Sequence, residues 1–349
     1  MLADIKLKPP RSHREMLMMF ALFNPEQGID ALLDQIEWSS VTRHQIYHSV
    51  LGRPPESVKV AIPPEGYSPR RHAQAAVSSA EFQHRIRELL LGAFPEKRRV
   101  VFVHIPKTAG TDISEALRRR FPWLEYHHSI PAMCDQKRLF AEIRDFVLAA
   151  SLSDTVAITG HERLRWYRER ELLRFGDMPF TIIRDPKSII LSYVNFIVNR
   201  FVKFRGIERA DTRQWMKHLE LDEFPEHPSQ RYLAELAGKM IRTPMVTSPN
   251  MICTFLGSGT ADSARDAVAV TDIEIVHLRN YQKWRAQKWS IDKNFAPNTS
   301  DKIISETLLS PMDREFMAQI TEEDYKLYAL IEKKLERDGL LSIRGSELA

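Results

Sequence analysis

The chain has 349 residues, 43% of them hydrophobic and 28% charged, the composition of a globular chain with room for one large domain and an appendage. A formal charge of +4 suits an anionic ligand, but Lys and Arg alternate with Asp and Glu, which excludes the basic stripe of a nucleic-acid binder. No apolar run reaches the ~18 residues of a membrane span, the N-terminus lacks the apolar stretch of a signal peptide, and Cys134 and Cys253 fit no metal or redox spacing, so a cytoplasmic protein is expected.

Residues 1–95 read as a separate helical segment. Helices are expected over Arg14 to Phe23, closed by Asn24-Pro25, over Ile29 to Trp38, and over Val41 to Leu51. Gly52-Arg-Pro-Pro55 stops the third, and a proline-rich linker follows through Pro63, Pro64 and Pro69. Arg70 to Leu91 carries a fourth, broken near Ser78 and Ser79. The stretches Gln45 to Pro54 and Ser78 to Gln83 resemble a small helical module found ahead of bacterial glycan-modifying enzymes, which implies a docking or packing role.

From residue 96 the pattern changes to strands alternating with helices, which predicts an α/β domain over 96–349 with a mainly parallel sheet and helices on both faces. Val100 to Ile105 is a β-branched run with the composition of a buried strand, ended by Pro106. Lys107, Thr108, Ala109, Gly110 and Thr111 form a small polar turn, and Asp112 to Glu115 has the spacing of a capped helix start. Strand, short loop and helix in this order turn backbone N–H groups and a helix N-terminus towards one point, which favours an anion. Lys107 adds a positive charge there. Because Lys107 precedes Gly110, the loop is not a Walker A loop.

After a helical stretch over Met133 to Ala150, Thr155 to Thr159 is a second buried strand, ending at Gly160-His161. Arg163 to Phe175 has helical propensity and bears Arg163, Arg165, Arg168, Arg170 and Arg174, read first as an exposed charged face. Phe180 to Ile183 is a third strand. Asp185 then offers a cap and Pro186 a first helical residue for a long helix running towards Phe204. Asp211 to Phe224 and Gln230 to Ile241 read as helices able to cover an acceptor cleft. Asp272 to His277 is a fourth strand. Glu322 to Arg337 is an amphipathic helix with Tyr325, Tyr328, Leu330, Ile331 and Leu335 as its buried face.

Two of these strand ends carry anion-binding chemistry. Besides the Lys107 loop, Arg184 stands at the C-terminal end of its strand, and Ser192 follows on the next helix. An arginine fork and a hydroxyl suit a phosphate dianion. Two such sites fit a nucleotide with separated 3′ and 5′ anions, whereas a simple nucleoside triphosphate needs one cluster and a magnesium carboxylate. His161 follows a strand and a glycine at the same sheet edge, 23 residues before Arg184, where an imidazole near its usual pKa of about 6.5 could take a hydroxyl proton. His104, inside the loop motif, is the competing histidine and reads as structural.

The string His104 to Thr111 resembles the 5′-phosphosulfate loop of sulfotransferases that use 3′-phosphoadenosine 5′-phosphosulfate (PAPS), closest to the carbohydrate branch that includes heparan sulfate uronyl sulfotransferases and bacterial relatives. The segment from Ile183 to Tyr193 is similar to that family's 3′-phosphate motif, with Lys187 where a further arginine often stands, and Thr159 to His161 to its catalytic-base segment. Pro249 to Gly257 and Asn298 to Ser300 resemble family segments near the nucleotide and acceptor. The resemblance spans residues 98–335 and implies a P-loop-like sulfotransferase fold. It implies PAPS as donor substrate, held by Lys107, Thr108, Ala109, Gly110, Thr111, Asp112, Arg184 and Ser192. His161 is the implied base and Lys107 the second catalytic group, with no metal required. The expected acceptor is a hydroxyl of a glycan or glycolipid. A P-loop-type nucleotide kinase, which would depend on magnesium and ATP, is one alternative; a non-catalytic module that binds the nucleotide and transfers nothing is the other.

Overall fold

The computed structural model describes residues 7–23, 28–126, 136–203, 210–244, 246–290 and 301–348. Cys134 and Asn298 to Ser300, both singled out above, lie outside the described residues.

The chain opens with helices α1 (His13–Leu22), α2 (Gly28–Gln35) and α3 (Arg43–Ile46), a π-helical turn over Tyr47–Leu51, then α4 (Val58–Ala61), α5 (Pro69–Val77) and α6 (Ala80–Gly92). Serine hydroxyls start four of them: Ser12 accepts from the N–H of Glu15, Ser57 from Val60, Ser68 from Arg71 and Ser79 from Phe82, at 3.2, 3.3, 3.4 and 3.1 Å. The expected break at Ser78 and Ser79 is thus a cap between α5 and α6. The third expected helix changes to π geometry at Tyr47 and ends at Gly52, in the left-handed region at φ 64°. A Cβ on Gly52 would lie 2.7 Å from the Leu89 side chain, so the close approach also requires glycine.

Strand β1 (Arg98–Val103) follows, then α7 (Gly110–Arg120), β2 (Trp123–Tyr126), α8 (Gln136–Ser151), β3 (Thr155–Gly160), α9 (Leu164–Glu169), β4 (Met178–Ile183) and α10 (Pro186–Lys203). Helices α11 (Ala210–His218), α12 (Gln230–Arg242), α13 (Met251–Leu256) and α14 (Ala261–Thr271) lead to β5 (Glu274–His277). The chain closes with α15 (Tyr281–Trp289), α16 (Pro311–Gln319), α17 (Glu322–Asp338) and β6 (Ser342–Arg344). The strands form one α/β sheet in the order β2-β3-β1-β4-β5-β6. β1 runs parallel to β4 and β4 to β5, while β6 pairs antiparallel with β5. Among the described residues no helix is long and apolar enough to cross a membrane.

The chain divides into two compact units, Met1–Arg99 with Arg120–Ile158, and Val100–Arg119 with Thr159–Ala349. The first takes in more than the segment 1–95. Within it α1 packs on α8, with Phe20 edge-on to Phe140 at 5.3 Å. His13 is half-buried, with Nδ1 facing the Ser49 carbonyl at 3.2 Å, and desolvation of the ring pulls its pKa down to about 4.

In the second unit, α10 buries Ile190, Val194, Ile197, Val198 and Phe201 against Leu233, Leu236, Met240 and Ile241 of α12. Side chains of this kind each contribute roughly 1.5–3 kcal/mol when fully buried. The start of α10 is as expected: Asp185 accepts from the Ser188 N–H at 2.8 Å, with Pro186 in first place.

Three expectations are corrected. The helix expected over Arg163 to Phe175 ends at Glu169, because Glu171 turns left-handed at φ 54° and returns Leu172 to the core, leaving the arginines exposed. The helix expected over Asp211 to Phe224 ends at His218. In α17, Leu327 at 1% exposure takes the core place assigned to Leu330, which is 41% exposed; the buried stripe runs through Asp324, Leu327, Tyr328, Ile331 and Leu335, so Tyr328, Ile331 and Leu335 are as expected while Tyr325 is only half-buried.

Candidate active site

Because β1 and β4 are parallel, the segments that follow them leave the same edge of the sheet. After β1 the chain makes a tight loop in which Lys107 and Ala109 both adopt left-handed backbone, at φ 67° and 65°. Neither is glycine, so both positions are strained, and strain of this kind collects at ligand-binding turns. Left-handed residues that interrupt right-handed backbone aim successive N–H groups into a concavity that suits an anion. Thr108 pins the loop: its hydroxyl donates to the Ile105 carbonyl at 2.7 Å and its side chain is buried, which leaves its backbone N–H as the group it can offer a ligand. Ala109 closes the loop by accepting from the Ile113 N–H at 3.2 Å. Helix α7 therefore starts at Gly110, and Asp112, expected as the cap, lies inside its first turn.

The carboxylate of Asp112 is engaged by protein groups. It accepts from the Arg285 guanidinium at 2.6 Å and from the Tyr281 hydroxyl, and Arg285 also reaches the Tyr281 oxygen at 2.8 Å. With its side chain 1% exposed, Arg285 makes this a buried ion pair that ties α7 to α15. Asp112 gives the loop an anchor, while Thr111 is exposed at the helix start.

The cations gather around one ring. The Lys107 ammonium lies 4.4 Å from the centre of the Phe196 ring, and the Arg200 guanidinium lies 5.0 Å from the same centre. Arg184 donates to the Lys107 carbonyl at 3.4 Å. Burial, with Arg184 and Arg200 nearby, pulls the Lys107 pKa down to about 8. Burial also lowers that of Arg184. Among the described residues neither Lys107 nor Arg184 has a carboxylate within ion-pair distance. Asp185, next to Arg184, is turned the other way. It accepts from Ser188 and from the Tyr325 hydroxyl at 2.7 Å. Its burial raises the pKa, but these hydrogen bonds outweigh that and hold the carboxylate below its ordinary range.

Ser192, Phe196 and Arg200 follow one another at four-residue spacing on α10, so one face of that helix carries the hydroxyl, the ring and the third cation. Phe196 and Arg200 were not read from the sequence; the spacing from Ser192 was their only signal. Tyr281 and Arg285 had none.

His161 is exposed just past β3, and the His104 N–H donates to the Gly160 carbonyl at 3.1 Å. The two imidazole centres are 3.9 Å apart. The structure therefore brings together Lys107, Arg184 and the backbone of Thr108 to Gly110, with Ser192 on the helix that bears Phe196, and places the two histidines side by side. An open cavity of about 390 Å³ is lined by Arg165, Arg168 and Glu169, not by residues of the loop. No family model, no curated protein and no solved structure matches the chain.

Proposed function

We propose that the chain is a PAPS-dependent sulfotransferase of a P-loop-like fold that moves a sulfuryl group to a hydroxyl of a glycan or glycolipid. The observation that carries this reading is the loop after β1: two strained left-handed residues, a desolvated Lys107 and a neighbouring Arg184 concentrate positive charge that, among the described residues, meets no carboxylate at ion-pair distance. A half-buried cation pair with no carboxylate at ion-pair distance among the described residues is costly and is sustained where an anion completes it.

In this reading Arg184 and Ser192 hold the donor's 3′-phosphate and fix its position. Lys107 and the amides of the loop stabilise charge on the bridging oxygen as the sulfur–oxygen bond to phosphate breaks. His161 takes the proton of the acceptor hydroxyl as that oxygen bonds to sulfur in line. Adenosine 3′,5′-bisphosphate leaves as the second product. Two anion-binding segments after two different strands, with the lysine ahead of the glycine in the first, favour this donor over a nucleoside triphosphate.

The test is transfer from PAPS labelled in its sulfuryl group to a panel of polysaccharides, glycolipids and small alcohols. Label moving to a hydroxyl acceptor, without magnesium and without competition from ATP, is the expected result. Binding of adenosine 3′,5′-bisphosphate with no transfer to any acceptor would leave only a nucleotide-binding module.

A further inference from the structure

His104 is a motif residue that the proposed chemistry leaves without a task, and its surroundings give it one. Phe102 and Phe180 are register partners on β1 and β4, and their rings stack at 4.9 Å with 15° between planes. His104, two residues on, points to the same face and stacks on Phe102 at 5.0 Å and 20°. His161 lies on His104 at 3.9 Å and 32°. Four rings thus form a column from the buried core to an exposed imidazole. Gly110 makes the column possible: a Cβ there would fall 1.8 Å from the His104 ring. The loop, His104 and His161 are therefore in one line of contact.

We propose that His104 is the positioning residue of His161, holding that imidazole in one orientation and titrating with it as a coupled pair. The inference rests on reading His161 as the proton acceptor. An exposed side chain on a strand end has several rotamers, and a stacked ring beneath it selects among them. The same contact couples the charges. Two imidazolium ions about 4 Å apart repel one another, so the pair takes up its first proton readily and its second about one pH unit lower. The other ionisable groups around these segments include Glu162, Arg163 and Arg165 after His161, Tyr167, whose hydroxyl donates to the Gly160 carbonyl at 3.3 Å, Lys107 three residues after His104, and Asp112 on α7, whose Gly110 meets the His104 ring. They remain in every variant below, so a difference between variants reports on His104.

The experiment is an NMR titration of the full chain with labelled histidine, the His161 signal being assigned by its loss in His161→Ala. In the wild type the signal should move in two steps about a pH unit apart. In His104→Phe, which keeps a ring but no charge, it should move in one. His104→Gln gives the same test if the phenyl ring does not fit over Gly110. Turnover on the alkaline plateau should stay within a few-fold in His104→Phe and drop about tenfold in His104→Ala, with KM unchanged, because only the second loses the stack. A wild-type His161 curve that superimposes on that of His104→Phe overturns the pair. The titration needs neither donor nor acceptor. A chain that shows two coupled steps yet transfers no sulfuryl group keeps the pair and loses the functional reading. A chain that transfers but titrates in one step does the reverse.

Discussion

At the end of β5, His277 accepts from the Arg279 N–H at 3.0 Å through Nδ1, so its Nε2–H faces the Tyr328 hydroxyl at 2.6 Å. Arg279 itself meets Glu332 and Glu336 at 2.9 and 3.0 Å, and nearby Lys288 meets Glu274 at 2.8 Å. At the ends of β1 and β4, on the same edge of the sheet, Lys107 and Arg184 meet a carbonyl and an aromatic ring. Both regions are built from the same residue types on parallel strands. They differ in whether, among the described residues, positive charge meets a carboxylate at ion-pair distance. Where it is answered, the groups hold the fold together; where it is left over, the fold bears a cost that a bound anion would remove. A difference in charge balance thus separates the stabilising polar clusters from the candidate site without any appeal to relatives.

That division can be broken by substitutions that cross it. The largest effect is expected at His161. His161→Ala should lower turnover by roughly 10²–10⁴-fold, the range for a positioned base. Its donor affinity and melting temperature should stay near wild type, since the imidazole is exposed and outside both anion sites. Parallel loss of turnover, affinity and stability would make it structural and erase the contrast. Next comes Arg285→Ala, which strands Asp112 as a buried charge. It should cost about 3–5 kcal/mol of stability in denaturant unfolding. Stability within about 1 kcal/mol of wild type would show that the pair is not a strut.

A smaller effect is expected from Tyr328→Phe, which leaves the His277 N–H without its buried acceptor. A loss of about 1–3 kcal/mol should follow, with no change in binding of adenosine 3′,5′-bisphosphate. An altered affinity there would join the two regions functionally. The smallest effect concerns Lys107. Its folded pKa of about 8 lies below the ordinary lysine value of about 10.5, so the folded state binds fewer protons than the unfolded one between those values. Stability should therefore rise with pH across that window, and Lys107→Met should flatten the rise. Binding of the bisphosphate at pH 8 should take up about half a proton, read as the dependence of calorimetric heat on buffer ionisation. Heats that do not vary with buffer would mean that no anion reaches Lys107.

The features that periodicity and local turn chemistry control were readable in advance. The runs at Val100, Thr155 and Phe180, the break at Ser79 and the Asp185-Pro186 helix start all depend on residues within a few positions of one another. Short edge strands were missed because Trp123–Tyr126 and Ser342–Arg344 are too brief to show alternation. Asp112 was misread as a cap because its partner Arg285 is 173 residues away, and no local pattern reports a pair at that distance. Nothing local marks Arg200, since an arginine near the end of a helix is ordinarily explained by the helix dipole. Its place beside the Phe196 ring follows from their four-residue spacing on α10, and only the Lys107 contact with the same ring ties it to the loop.

The central claim, that unanswered charge at the ends of β1 and β4 receives a donor with a 3′-phosphate, is tested most directly by calorimetry with two ligands. Wild-type protein should bind adenosine 3′,5′-bisphosphate more tightly than adenosine 5′-phosphate. Arg184→Ala should weaken the bisphosphate by about 2–5 kcal/mol and the monophosphate far less, so that the two affinities converge. Equal losses for both ligands, or equal affinities in the wild type, would contradict the assignment of Arg184 to the 3′-phosphate and with it the donor.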